Sequence, residues 1–217
     1  AALAWRKHWH FTLKKHVSVC ELECSFEVLL YMTVHPGRRR SQFWAKQTRW
    51  SPIHPIGEIM TKKRWVDIQS HLKFAVKPIG VTDPLFQVDS LVKQFHANRR
   101  ATVSPGNTLT VDELFSKWLG HESTTHADGM PFVQKNPNKP VGVGGEYIAL
   151  CDAQSGVMMA LEMCRGPQHN ATIAKGKLFG AAVTVKLAQE AQVTDRWKHL
   201  IVGDSRFSSL QMALLAN

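Results

Sequence analysis

Apolar positions in the first half of the chain recur at helical spacing. Residues 21–34 carry Leu22, Phe26, Leu29, Leu30 and Met32, and His35-Pro36-Gly37 ends the run. Ser51-Pro52-Ile53-His54-Pro55 reads as a breaker-rich connector. Over residues 59–74, Met60, Trp65, Ile68 and Leu72 fit one helix face, and Thr61 is placed to cap its start. Asp83-Pro84 reads as the next cap with Pro at the first helical position, and Leu85, Val88, Leu91, Val92 and Phe95 continue at helical spacing to about Arg100.

The pattern changes after the turn Ser104-Pro105-Gly106-Asn107. Thr108-Leu109-Thr110-Val111-Asp112-Glu113 is a β-branched run that predicts a strand. Residues 146–152 and 157–164 predict two more, and Asp152-Ala153-Gln154-Ser155-Gly156 between them has the form of a hairpin turn. Residues 171–189 fit a helix, with Gly176 and Gly180 counting against it. Residues 199–204 predict a short buried strand ending in Asp204, and residues 207–215 begin another helix. The reading is α/β: a mainly helical domain over 1–104, then a strand-rich domain over 105–217.

Charge divides the chain at the same place. Residues 1–104 hold 17 Lys and Arg against 7 Asp and Glu, while residues 105–217 hold 10 of each. A basic half next to a neutral one suits a polyanion partner such as nucleic acid, although a solvated basic surface has the same composition. No run of eighteen or more apolar residues occurs, so no membrane span is expected. The chain opens without Met or an apolar signal core, which is expected of a fragment. Cys20, Cys24, Cys151 and Cys164 are expected to be free thiols.

Asp112 and Asp204 each follow an apolar run, at what would be the C-terminal edge of a sheet. If the first and fourth strands are neighbours, the two carboxylates come within a few ångströms. Carboxylates that close repel unless a cation lies between them. Their hard oxygens suit Mg²⁺, and a pair of such ions is the usual clamp for in-line attack on a phosphodiester. The competing reading is that each Asp merely ends a strand near water.

Six blocks carry a family resemblance. Residues 108–113 resemble the strand block of piggyBac-type transposases that holds their first catalytic Asp. Met60-Thr61-Lys62-Lys63-Arg64-Trp65 with Leu72-Lys73-Phe74, and Asp83-Pro84-Leu85-Phe86 with Val92, resemble two of the family's helices. Asn138-Lys139-Pro140 with Gly142 is similar to a family loop, and residues 147–156 to its hairpin. Val202-Gly203-Asp204-Ser205-Arg206-Phe207-Ser208-Ser209 resembles the block of the second catalytic Asp.

The resemblance implies a ribonuclease-H-like mixed sheet in strand order 3-2-1-4, with the family's fifth strand missing. It implies that Asp112 and Asp204 are catalytic and bind Mg²⁺ in a two-metal site. It also implies DNA strand cleavage and transfer at transposon ends with TTAA targets, a nuclear protein and a possible homodimer. The third acidic residue and the family's cysteine-rich zinc domain would lie beyond this chain, which is therefore expected to be inactive alone. A domesticated or decaying DNA-binding protein is the alternative, and another ribonuclease-H-like nuclease a third.

Other residues complete the expectations. Glu113 alternates to the face opposite Asp112 and is read as structural or as a support behind the metal ligands, not as a ligand itself. Asp152 is read as a hairpin-turn residue. Arg38, Arg39, Arg40, Lys62, Lys63, Arg64, Arg99 and Arg100 are candidate DNA phosphate contacts, each also explicable as a solvated charge. Trp44, Trp50 and Trp65 are expected in the helical core, with stacking on bases as the alternative. Cys20 and Cys24, with His8, His10 and His16 nearby, could hold zinc or could simply be two thiols on one helix face. Cys151 and Cys164 are expected in the strand core.

Overall fold

A computed structural model describes residues 10–11, 16–35, 40–45, 56–74, 79–118, 120–122, 129–137, 142–193 and 198–209. Arg38, Arg39, Trp50, His8, the connector over 51–55 and Asn138-Lys139-Pro140 lie outside these residues, as does most of the helix expected over 207–215. Two compact units are present, Ala1–Ser90 and Leu91–Asn217. The division falls inside a helix, ahead of the 104/105 boundary read from the sequence.

In the first unit, β1 (His10–Phe11) pairs antiparallel with β2 (Leu72–Lys73). Helix α1 (Val19–Val34) starts earlier than its apolar run predicts, because Ser18 and Glu21 form a capping box. The Ser18 hydroxyl accepts the Glu21 N–H, and the Glu21 carboxylate accepts the Ser18 N–H, each at 3.1 Å. A 3₁₀ turn (Arg40–Trp44) and the short α2 (Ile56–Ile59) follow. Helix α3 (Lys62–His71) is capped by Thr61 as expected, at 3.3 Å from the Arg64 N–H. Val28, Phe43, Ile56, Met60, Trp65 and Ile68 form the core of this unit. Trp65 is buried and donates to Ser25 O at 3.2 Å, and Trp44 packs on it while donating to Met60 O at 2.8 Å.

Helix α4 (Phe86–Thr102) begins after a turn in which the Asp83 carboxylate accepts the Leu85 N–H at 2.8 Å. From Leu91 onward it belongs to the second unit. His96 is buried there, and its Nε2 accepts the Leu161 N–H at 3.1 Å. That bond needs the unprotonated ring, and burial lowers the His96 pKa accordingly.

The sheet of the second unit is built on β3 (Thr108–Lys117), β5 (Val143–Asp152), β6 (Met158–Met163) and β7 (Leu200–Gly203). The β5 strand pairs antiparallel with β3 from Leu109↔Asp152 to Lys117↔Gly144. Its other edge pairs antiparallel with β6. On the far side of β3, β7 runs parallel, from Thr108↔Leu200 to Val111↔Gly203. The order β6-β5-β3-β7 is the expected 3-2-1-4. A short extra strand, β4 (Gln134–Lys135), joins the start of β5.

The helix expected over 171–189 is two helices, α5 (Pro167–Ala174) and α6 (Phe179–Glu190). Lys175 and Gly176 take φ of 46° and 79°, left-handed conformations that stop α5. Helix α6 lays Val183 and Leu187 against Leu109, Val111, Ile148, Leu150 and Met159 of the sheet. Each such side chain, once buried, contributes about 1.5–3 kcal/mol. Cys164 is buried in the same core, and burial pushes its thiol up to about 12. All four cysteines are free, as expected.

Two polar groups lock this unit. Arg99, only 4 % exposed, donates to Glu190 O at 2.7 Å and Ala191 O at 3.2 Å, so it caps the C-terminus of α6. Asp152 is 5 % exposed and fills the role expected of it. Its Oδ1 accepts the Ser155 N–H at 2.7 Å, the Ser155 hydroxyl at 2.8 Å and the Gln154 N–H at 3.0 Å. Its Oδ2 accepts the Gly106 N–H at 2.8 Å, tying the hairpin turn to the turn before β3. The Ser155 bonds, with those from Gly106 and Gln154, lower its pKa below the usual carboxylate value.

Arg99→Ala leaves buried helix-end carbonyls without donors and is expected to cost about 2–4 kcal/mol, read by urea denaturation. Asp152→Asn is expected to lower the melting temperature at pH 7. The wild-type advantage is complete above the unfolded carboxylate pKa of about 3.9 and fades as pH falls through the lower folded value. Melting curves of both proteins from neutral to acidic pH should therefore converge at the acid end.

Candidate functional site

The acidic site is built where the parallel ladder stops. Val111 and Gly203 are its last pair, so Asp112 and Asp204 are the next residues on two adjacent strands. Strand β3 does not end there, as the β-branched run suggested. It continues to Lys117 because β5 goes on pairing with it as far as Gly144. Asp112 therefore lies mid-strand, at the end of one ladder and the middle of the other.

Close strand approach requires glycine at position 203. A Cβ there would stand 2.7 Å from Val111 Cγ1 and 3.0 Å from Phe207 Cβ. The chain then turns tightly. The Asp204 carbonyl accepts the N–H of Phe207 at 3.1 Å and of Ser208 at 2.8 Å, and its Oδ1 accepts the Arg206 N–H at 2.9 Å. Asp112 Oδ1 accepts the Glu113 N–H at 2.7 Å. Backbone donors thus orient one oxygen of each carboxylate and leave the second available to a ligand.

One carboxylate oxygen from each of Asp112, Glu113 and Asp204 lies within 4.8 Å of the others. Asp112 and Asp204 are exposed and Glu113 is half-buried. The inclusion of Glu113 departs from the sequence reading, which alternated it away from the pair. Strand β7 has ended at this level, and the turn after it brings Arg206 against Glu113, so that side chain is drawn toward the same strand edge. Arg206 Nη1 also binds Glu146 Oε1 at 2.8 Å. The neighbouring letters Asp112-Glu113 and the Arg206 of the second block were in the sequence, but their meeting was not.

The candidate phosphate contacts divide. Arg40, Lys62 and Lys63 are exposed. Arg100 is partly exposed and pairs with Glu190 at 2.9 Å. Arg64 is half-buried. It grips Glu21 through two bonds of 2.8 and 3.0 Å and donates to His16 O at 2.9 Å, which commits its guanidinium to holding α3 on α1. Arg99 is buried, with its guanidinium on helix-end carbonyls. Among the described residues, Cys20 and Cys24 join no third ligand in metal-holding geometry. No helix among them is long and apolar enough to cross a membrane.

The family model described as Transposase IS4 matches residues 4–216. A piggyBac transposase, solved by cryo-EM in a synaptic complex with hairpin DNA, is 20 % identical and superposes with a TM-score of 0.72. The match covers 93 % of this chain and 40 % of that one, so the chain spans well under half of that transposase's length. No curated protein matches the sequence. At that identity the likeness concerns the fold, and the fold agrees in its mixed sheet and partner helices. With a family match over nearly its whole length, the chain belongs to the Transposase IS4 family.

Proposed function

We propose that this chain carries part of the catalytic centre of a DNA transposase, in which Asp112 and Asp204 hold a divalent cation. The observation that supports this most is the register. Two carboxylates follow the last pair of adjacent parallel strands, with ligand oxygens close enough to share one ion. The donor set fits Mg²⁺. It consists of hard, exposed carboxylate oxygens with room for water in the remaining positions. In a two-ion site, one ion would activate a water or a 3′-hydroxyl for attack on a phosphodiester and the other would stabilise the leaving oxygen.

The chain's own contribution is orientation. The backbone N–H groups of Glu113 and Arg206 hold the two carboxylates, and Gly203 lets the strands approach. The solvent-exposed face of β3 leaves the site open to a large substrate. The partner proposed is double-stranded DNA at transposon ends, with TTAA targets, acted on in the nucleus by a homodimer. Arg40, Lys62, Lys63 and Arg100 are the phosphate contacts that remain on exposed or partly exposed positions.

The test is Mg²⁺-dependent nicking of a TTAA-flanked duplex by the full-length protein. Asp112→Asn and Asp204→Asn should each lower the rate by on the order of 10³-fold, several kcal/mol of transition-state stabilisation. Nicking at the wild-type rate by either variant would remove that residue from the mechanism.

A further inference from the structure

We propose that Arg206 is a positioning residue that reserves Glu113 as an internal counter-charge, leaving the divalent cation to Asp112 and Asp204. The proposal rests on the metal reading of this site and goes beyond it by assigning two further residues.

Strand geometry puts Glu113 and Glu146 together. Phe115 is the cross-strand partner of Glu146, and Glu113 is two residues from Phe115 on the same face of β3. Two carboxylates on that diagonal repel unless a cation separates them. Arg206 is that cation, with Nη1 bonded to both. The two acids are mostly buried at the side chain, 13 % and 20 % exposed, while Arg206 between them is 39 % exposed.

Arg206 is itself fixed by the core. Its carbonyl packs so closely on α6 that a Cβ on Gly180 would lie 1.9 Å from it. The next residue, Phe207, is fully buried, and the Arg206 guanidinium carbon stands 5.6 Å from that ring's centre. The same residue holds Asp204 through its backbone N–H. Arg206 thus connects to both halves of the acidic cluster. The main chain orients an oxygen of the proposed ligand Asp204, and the side chain occupies Glu113. Without the guanidinium, the Glu113 carboxylate, already within 4.8 Å of both Asp ligands, would be drawn to the ion.

The experiment is Mn²⁺ binding to the chain, measured by calorimetry and by electron paramagnetic resonance, with circular dichroism to check folding. Removing one positive charge beside an exposed divalent site should tighten binding of Arg206→Gln by about five- to tenfold after screening. Arg206→Lys, which keeps the charge, should bind as the wild type does. Glu113→Gln should weaken binding by no more than about threefold, and adding it to Arg206→Gln should remove most of the gain, because that gain comes from the released Glu113 carboxylate. Weaker binding by folded Arg206→Gln would overturn the proposal. So would a loss in Glu113→Gln as large as in Asp112→Asn, and that comparison decides the matter even if Arg206→Gln does not fold. Equal binding by wild type and Asp112→Asn, or none by wild type, would instead defeat the metal reading on which the proposal stands.

Discussion

The parallel pairing of β3 with β7 is the constraint on which the rest depends. Four residue pairs bring two segments some ninety positions apart into one register, and the last pair sets Asp112 beside Asp204. Steric room decides whether that pair can form. Val111 and Phe207 crowd the position opposite, and only a residue without a Cβ lets β7 close on β3 there. A shift of one residue would move one carboxylate to the other face of the sheet and dissolve the cluster.

The ladder is held from behind by burial. Leu109 and Val111 face Val183 and Leu187 of α6, and Phe207 closes the same core after the turn. Polar groups then fasten the ends of these elements. Asp152 joins the hairpin turn to the turn before β3, and Arg99 joins α4 to the last carbonyls of α6. Both occupy sites where a backbone group would otherwise be buried without a partner. The exposed strand edge is therefore free to carry like charges, since the hydrophobic core and not the acidic site supplies the stability. The electrostatic strain of that edge is met locally by Arg206, which separates Glu113 from Glu146.

Much of this was legible in the chain. Periodicity marked α1, α3 and α4, a β-branched run marked β3, and Gly156 closed the hairpin between β5 and β6; the apolar run over 199–204 marked β7 but read as buried, whereas Leu200 and Val202 are exposed. Thr61 was readable as a cap because a short hydroxyl before a helical run has few other uses. The Ser18–Glu21 capping box was equally readable by its spacing, but the apolar pattern begins later and hid it. Failures came where one signal served two structures. A single helical pattern over 171–189 concealed the left-handed break at Lys175, a residue with no intrinsic need for that conformation. The end of the β-branched run at Glu113 concealed a strand that its partner β5 prolongs.

Local chemistry is written in the residues because helix caps, turns and strand runs depend on neighbours in the chain. The sequence by itself thus determined the class of fold, the two acidic blocks and the basic character of the first half. Which charges meet is a different matter, since it depends on pairings between distant segments. Only the folded chain decided that Arg64 and Arg99 hold helices, with their guanidinium groups committed to protein partners. It alone decided that Glu113 shares a strand edge with Asp112 and Asp204. Alternation along β3 separates neighbours such as Asp112 and Glu113, and no local rule anticipates an arginine arriving from a turn more than ninety residues away to draw one of them back.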